Sequence, residues 1–114
     1  MIAHVVLFRP RASLTEADRR TLADSFNDAL REIPSIRRAR IGPRVTHGRG
    51  YETLMRVDYQ YAAILEFDDV AGLKAYLEHP VHEALGARFF AMFEEALMYD
   101  FELKEGAEGV EQLL

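Results

Sequence analysis

The sequence predicts an α+β domain, with a four-stranded antiparallel sheet and two helical segments, the second of which is broken at Pro80. Short apolar or alternating runs occur at both ends and in the middle of the chain, and such runs are typical of strands. Two longer segments between them carry apolar residues at the spacing of a helix face. The resulting order, β-α-β-β-α-β, is the ferredoxin-like pattern.

The first strand and the first helix have clear boundaries in the sequence. Residues 2–8 are almost entirely apolar and lead to Pro10, where a strand is expected to stop. Ser13 and Glu16 have the spacing of a capping box, which predicts that a helix begins there. The helix ends before Pro34. Its predicted buried stripe consists of Leu22, Phe26, Ala29, Leu30 and Ile33.

The second and third strands differ in character. Residues 36–45 are mixed and contain Gly42-Pro43, which indicates a bend or an edge position for the second strand. Residues 47–50 are predicted as a turn. Residues 51–58 fit either a loop or the margin of a strand. Residues 59–67 are predicted as the third strand, because their centre is a continuous apolar run.

The second helical segment is interrupted. The Asp68-Asp69 pair offers an N-cap, and Pro80 ends one helix while suiting the first turn of the next. Residues 98–103 alternate between apolar and polar, which predicts the last strand. We expect one domain over residues 1–103, followed by an acidic tail at 104–114. The helix after the break is predicted to show one apolar face with Val81, Leu85, Phe89, Met92 and Ala96.

Composition excludes several classes of protein. The 114 residues include no cysteine, so disulfides, thiolate nucleophiles and cysteine-ligated metals are ruled out. No apolar run approaches the roughly 20 residues that cross a bilayer, and no export leader follows Met1, so we expect no membrane partner and a cytoplasmic location. The histidines lack metal-binding spacing and no phosphate loop is present. We therefore expect neither a metal nor a cofactor.

Charge is distributed unevenly along the chain. The formal net charge is −5, yet residues 1–56 carry 11 Lys/Arg against 6 Asp/Glu, and residues 57–114 carry 3 against 13. The arginines of the basic half are not interleaved with stacking aromatic residues, and the isoelectric point is about 5.3. We therefore expect no nucleic-acid partner. The basic stretch comprises Arg37, Arg38, Arg40, Arg44, Arg49 and Arg56.

The sheet is predicted to need a cover on its second face. Two helices shield one face of a four-stranded sheet, but the first and third strands are apolar at nearly every position, which indicates that both faces are kept from water. An uncovered apolar face of this size is uncommon in soluble monomers. A second copy would cover it and form a dimeric α+β barrel with a cavity between the two sheets. We therefore predict a homodimer with a pocket for a small apolar or aromatic ligand.

Four segments resemble the stress-responsive α/β-barrel family, and the similarity extends over about residues 1–103. Members of that family form dimeric ferredoxin-like barrels, and most have no assigned activity. One plant branch is a cofactor-independent polyketide cyclase that closes a ring by an intramolecular aldol step. The Arg-rich loop at 46–58 does not resemble that branch. The segments are His4-Val5-Val6-Leu7-Phe8, Glu66-Phe67, Tyr76-Leu77-Glu78-His79-Pro80-Val81-His82 and Asp100-Phe101.

The resemblance implies catalytic roles for His82 and Tyr76, with His4 as a supporting pocket residue. A histidine in the first turn of a helix is expected to stay neutral and act as a base, and a tyrosine hydroxyl beside it can hold an enolate oxygen. The structural alternative is that His82 satisfies local backbone groups while Tyr76 packs in the core. His79 is expected to be an N-cap or surface residue and His47 a solvated one.

The face of the first strand that carries His4 has two interpretations. If it lines the cavity between sheets, His4 is a pocket residue, and if it faces the helices, His4 is a core histidine. Two functions follow from the alternatives. One is a cofactor-independent cyclase, lyase or isomerase acting in the intersheet pocket. The other is a non-catalytic dimeric binding or stress-tolerance protein with structural histidines. The monooxygenases and isomerases of the wider dimeric barrel group are a third reading, although they lack the His-Pro-x-His element.

Overall fold

The four strands form one antiparallel sheet in the order β2-β3-β1-β4, and the three longer helices pack on one of its faces. A computed structural model describes all residues 1–114. The predicted fold class, including the break at Pro80, is confirmed. The elements are β1 Ile2–Pro10, α1 Glu16–Glu32, β2 Arg38–Pro43, a 3-10 helix Gly50–Leu54, β3 Tyr61–Phe67, α2 Val70–Glu78, α3 Pro80–Met92, β4 Phe93–Glu102 and α4 Gly106–Glu111.

The core lies between the sheet and its own helices. Phe67 of β3 is 0% exposed and packs against Tyr76 of α2. Because side chains alternate along a strand, every second residue of β1 points to this layer. The β1 residues of the core layer are Ile2, His4, Val6 and Phe8, all buried.

Helix α1 begins two residues later than the sequence predicted. The predicted capping box of Ser13 and Glu16 is wrong, because a backbone turn over residues 11–14 precedes the helix. The N-cap is Thr15, whose hydroxyl accepts from the backbone N–H of Asp18, while the Asp18 carboxylate accepts from the Thr15 N–H. Both pairs have the same spacing in the sequence, so spacing alone did not distinguish them.

The boundary between α3 and β4 also differs from the prediction. The apolar helix stripe was expected to continue to Ala96, but α3 ends at Met92 and β4 begins at Phe93. The Phe93 ring lies 4.7 Å from the Phe8 ring of β1, and Ala96 pairs with Phe8 in the β1–β4 ladder. Pairing with the full length of β1 therefore takes these residues into the sheet.

Strand β2 is an edge strand, as its Gly42-Pro43 pair indicated. The segment at 51–58 that the sequence left open begins in the 3-10 helix. This helix is tied to the loop before it, since the carboxylate of Glu52 accepts from the backbone N–H groups of His47 and Gly48. No helix of the chain is both long enough and apolar enough to span a bilayer.

The second face of the sheet carries no helix, and it is apolar along β1 and β4, whereas Arg40 of β2 and Glu66 of β3 form an ion pair elsewhere on this face. Along β4 the side chains of Leu97, Tyr99 and Phe101 are 36%, 56% and 50% exposed. They alternate with residues that face the helices. In β1 the residues opposite them are Leu7, Val5 and Ala3, respectively. We call this surface the helix-free face.

Candidate active site

His4, Tyr76 and His82 come together although they lie on β1, α2 and α3. The ring centroids of His4 and Tyr76 are 5.8 Å apart, and those of Tyr76 and His82 are 4.5 Å apart. All three side chains line a cavity of about 80 Å³. The structure thus joins the three residues that the sequence singled out.

The position of the cavity differs from the prediction. The expected location was between two sheets, but the cavity lies between one sheet and its own helices, with Leu65 of β3 and Leu85 of α3 among its walls. The reason is that the face of β1 carrying His4 is the one packed against the helices. The alternative left open for His4 is therefore settled as the helix side, and His4, Tyr76 and His82 of one chain meet in this cavity.

The break at Pro80 orients His82. In a continuous helix the Val81 N–H would donate to the Leu77 carbonyl, but here it donates to Nδ1 of His79 at 3.1 Å. The Leu77 carbonyl oxygen is left free and lies 3.1 Å from Nδ1 of His82. A carbonyl only accepts, so Nδ1 of His82 carries the hydrogen. In the neutral ring, Nε2 then holds a lone pair and is able to accept a proton.

Burial favours the neutral form of His82. It lowers the pKa of His82 below the usual 6.5. The hydrogen bond to Leu77 raises the pKa by less than burial lowers it, and the smaller effects of His4 and Glu83 lower and raise it respectively. Because a pKa below 6.5 leaves the imidazole unprotonated at neutral pH, His82 is available as a base.

The Tyr76 hydroxyl keeps its proton at neutral pH and is able to donate a hydrogen bond. Its side chain is 3% exposed, and burial raises the pKa of its hydroxyl to about 12. Burial is the one cause of this shift, so no neighbouring charge or hydrogen bond compensates for it. The hydroxyl therefore keeps its proton and is positioned in the same cavity as His82.

Asp100 contacts His4, and it was not among the site residues predicted from the sequence. Its Oδ1 lies 2.6 Å from Nδ1 of His4, and because a carboxylate accepts, Nδ1 of His4 carries the hydrogen. The two residues are directly opposite in the β1–β4 ladder. The alternation of residues 98–103 placed Asp100 on a strand, but only the register brings it to His4.

The cavity opens between α3 and β4. Phe90 and Met98 line it and are 68% and 43% exposed, so they form its mouth. Most of the remaining lining is apolar, including Phe89. No three histidine, aspartate or glutamate side chains of the chain converge as a metal-binding group.

The two other histidines lie outside the cavity. His79 is the N-cap of α3, as expected, since its Nδ1 accepts from the Val81 N–H. His47 lies in an exposed loop, where its ring is near Tyr51. Half of the six arginines of the basic stretch form ion pairs at the surface: Arg37 with Asp68 at 2.8 Å, Arg40 with Glu66 at 3.5 Å and Arg44 with Asp58 at 2.8 Å.

The fold and the site define a ferredoxin-like α+β domain with a histidine and tyrosine cavity beneath its helices. The family model described as Stress responsive A/B Barrel Domain, or Dabb, matches residues 2–103, and the chain belongs to this family. Olivetolic acid cyclase of Cannabis sativa is 21% identical over 100 residues, which cover 88% of this chain and 94% of that protein.

Solved structures show the same fold. A dimeric ferredoxin-like protein of unknown function from Thermobifida fusca has a TM-score of 0.70 and 24% identity, with 90% of each chain covered. The hydroxynitrile lyase of Passiflora edulis has a TM-score of 0.75 and 16% identity, with 92% of this chain and 94% of that chain covered. At these identities the likeness establishes the fold and leaves the reaction to be inferred from the site.

Proposed function

We propose that this protein is a homodimeric, cofactor-independent enzyme that transfers a proton at a carbon next to a carbonyl group, as a polyketide cyclase does. The observation that carries the proposal is the pairing of two groups in one apolar cavity. Nε2 of His82 has a lone pair because Nδ1 donates to Leu77, and the Tyr76 hydroxyl retains its proton because its pKa is about 12. Such a base and donor pair is suited to forming an enolate.

In the proposed step, the substrate carbonyl oxygen accepts a hydrogen bond from the Tyr76 hydroxyl. Nε2 of His82 takes a proton from the adjacent carbon, and the C–H electron pair moves to form an enolate whose charge rests on the carbonyl oxygen. In a cyclisation the enolate carbon then attacks a second carbonyl of the same molecule. The proton on His82 returns to the new alkoxide, so that the step needs no oxidant, reductant or cofactor.

His4 acts as an orienting group in this scheme. The carboxylate of Asp100 fixes the His4 ring through the 2.6 Å hydrogen bond, and the ring stands beside Tyr76. Because Asp100 fixes the His4 ring, the ring can keep Tyr76 in position, and neither side chain has to move during the reaction. We assign Asp100 to positioning, because its contact is with His4.

The size of the cavity limits what enters it. A volume of about 80 Å³ equals that of two or three water molecules in the liquid, at about 30 Å³ each. Only the reacting end of a substrate fits there, and the rest extends through the mouth along Phe90 and Met98. The substrate class is therefore a small carbonyl compound with an apolar or aromatic group. The cyclase among its relatives supports a substrate of this kind.

The homodimer rests on the helix-free face. Exposed aromatic side chains such as Tyr99 and Phe101 cover its β4 side, and related structures from Thermobifida fusca and Bacteroides fragilis are described as dimeric. Burial of such a face against a second copy removes the apolar area from water. Light scattering should give twice the chain mass of 13.0 kDa. A monomer at micromolar concentration would refute the homodimer.

A non-catalytic dimeric role in binding or stress tolerance, with structural histidines, is the second candidate, and the small cavity favours it over an enzyme. Ligand sites usually measure about 300–1,000 Å³, which is larger than the 80 Å³ observed. In that role His82 and His4 would serve the structure. The two candidates differ in one respect: only the enzyme requires the lone pair on Nε2 of His82.

A thermal-shift screen with aromatic acids, aromatic ketones and polyketide-like compounds tests for a ligand at this site. We expect a hit to stabilise the wild type and to lose most of its effect in His82→Ala. His47→Ala is the matched control, because His47 lies in an exposed loop outside the cavity. Stabilisation that survives in His82→Ala would show that His82 does not contact the ligand.

A further inference from the structure

A second and larger cavity lies on the helix-free face. Its volume is about 530 Å³, and it is enclosed by the sheet on one side and by the loop between β2 and β3 on the other. The sheet contributes Leu7 and Leu97, and the loop contributes Tyr51, Met55 and Arg56. We call it the loop groove. It is separate from the His82 cavity, because Leu7 and its neighbour in sequence, Val6, point to opposite faces of the sheet.

The segment after β4 exposes apolar side chains that no other part of the chain covers. Helix α4 and the residues that follow it expose three apolar side chains, with Val110 at 60%, Leu113 at 84% and Leu114 at 99%. Helix α4 ends at Glu111, and the Leu113 N–H then donates to the Val110 carbonyl at 3.0 Å. In such an i, i+3 turn the side chains of Val110 and Leu113 lie on the same side. Glu108 and Glu111 lie on the other sides. This segment, residues 106–114, lies beyond the part of the chain that matches the family.

The loop groove and the segment at 106–114 are complementary in both character and charge. The groove combines apolar walls with the cations of Arg44 and Arg56, both of which line it. Arg44 is paired with Asp58, whereas no ion pair within the chain engages Arg56. The segment offers the opposite charge next to exposed apolar side chains. Opposite potentials on two apolar surfaces favour one specific arrangement of partners.

Within one copy, the segment at 106–114 begins at the end of the sheet opposite to the loop groove. The Leu103 N–H donates to the Met1 carbonyl at 2.9 Å, whereas the groove lies at Leu7, six residues further along β1. At about 3.3 Å per residue this is roughly 20 Å. If two helix-free faces stack with their strands antiparallel, the β4 end of one copy lies over the groove of the other. The segment of the second copy then begins beside the groove.

We propose that residues 106–114 of one copy dock in the loop groove of its partner, with Leu113 and Leu114 against the apolar walls and the glutamates near Arg56. This inference rests on the proposed homodimer and extends it. The docked segment ties the two sheets together at both ends of the interface, because the twofold symmetry repeats the contact.

Disulfide trapping tests the arrangement cleanly, because the chain has no cysteine of its own. Full-length Leu113→Cys and Met55→Cys proteins are mixed, allowed to exchange and oxidised. We expect a covalent dimer joined between positions 113 and 55, identified by its cross-linked peptide, in several-fold excess over a mixture of Leu113→Cys with Ala17→Cys. Ala17 is an exposed control position on α1. A link confined to one chain in the Leu113→Cys/Met55→Cys double variant would overturn the exchange between copies.

The strength of the dimer provides the second measurement. Leu113→Ser/Leu114→Ser should raise the dimer dissociation constant roughly tenfold or more, since two buried leucines would be lost. Gln112→Ala, in the same exposed segment, should leave it unchanged. A wild-type monomer would refute the homodimer itself. A wild-type dimer with no 113–55 link and an unchanged dissociation constant would refute the docking alone and leave the homodimer standing.

Discussion

The Nδ1 atom of His82 lies 3.1 Å from the carbonyl oxygen of Leu77, across the break between α2 and α3. This hydrogen bond fixes which nitrogen of the ring carries the proton. It exists because Pro80 starts a new helix, and the N–H that would have occupied the Leu77 carbonyl is capped by His79 instead. A covalent feature of the backbone thus determines which ring nitrogen of His82 is available as a base.

Pro80→Ala should weaken this arrangement. A proline at the first helical position is replaced by a residue that tolerates the helix interior, so the Val81 N–H is free to donate to the Leu77 carbonyl. We expect the ¹⁵N NMR signals of His82 to shift from the Nδ1–H form toward a mixture of tautomers. Pro34→Ala, beyond the end of α1, is the matched control and should leave the His82 signals in place. Unaltered His82 signals in Pro80→Ala would contradict the proposed cause.

The lowered pKa of His82 predicts a dependence of stability on pH. The unfolded chain takes up a proton at His82 near pH 6.5, whereas the folded chain does so at a lower pH. The unfolded state therefore binds more protons as pH falls below about 6.5, and folding stability falls with it. Measured by chemical denaturation between pH 7.5 and pH 5, the wild type should lose more stability than His82→Gln. An equal loss in both proteins would contradict the direction of the shift.

Tyr76→Phe removes the hydroxyl of Tyr76 but keeps its buried ring, so it distinguishes a role in proton transfer from a role in core packing. The phenol ring is buried, but no hydrogen bond of its hydroxyl contributes to its pKa, so its removal should change the free energy of unfolding by less than about 1 kcal/mol. Loss of one donor to an oxyanion typically costs about 10²–10³ in rate. We expect this loss in catalysed proton transfer, with Tyr99→Phe on the helix-free face as the unaffected control. Full activity in Tyr76→Phe would remove Tyr76 from the mechanism.

Asp100→Asn tests the positioning of His4. The asparagine keeps the shape of the side chain and one acceptor oxygen, but it removes the negative charge next to Nδ1 of His4 and replaces the second oxygen with a donor. Because the Asp100 side chain is 42% exposed, the destabilisation should be limited to about 1 kcal/mol. Glu102→Gln makes the same charge change on the same strand without touching His4. We expect the His4 ring signals to broaden or shift in Asp100→Asn alone, together with reduced activity. Identical spectra for the two variants would argue that Asp100 does not orient His4.

Those parts of the fold that depend on backbone chemistry were predictable. Pro80 lacks an N–H and was expected to divide the second helical segment. The Asp68-Asp69 pair was expected to cap α2, and it is the Asp69 carboxylate that accepts from the Gly72 N–H. The boundary at Phe93 was not predictable, because residues 93–97 fit a helix stripe and a strand equally well. Pairing with β1 decided between the two, and pairing is a long-range property.

Three residues that line the cavity were named from the sequence, but the place of the cavity was not. The resemblance named His4, Tyr76 and His82, yet both faces of β1 are apolar, so the pattern did not show which one the helices cover. The Asp100 partner of His4 depended on the β1–β4 register, which is set by tertiary packing. Sequence patterns give periodicity within an element, whereas faces and registers follow from the contacts between elements.

Hydrogen–deuterium exchange tests directly whether His82 removes a proton from carbon with its free Nε2, and it needs no knowledge of the natural substrate. A small aromatic ketone is incubated in D₂O, and exchange at the carbon next to its carbonyl is followed by ¹H NMR with wild type, His82→Gln and His47→Gln. We predict exchange above the buffer rate for wild type and His47→Gln, and the buffer rate for His82→Gln. Exchange by His82→Gln at the wild-type rate would contradict the claim.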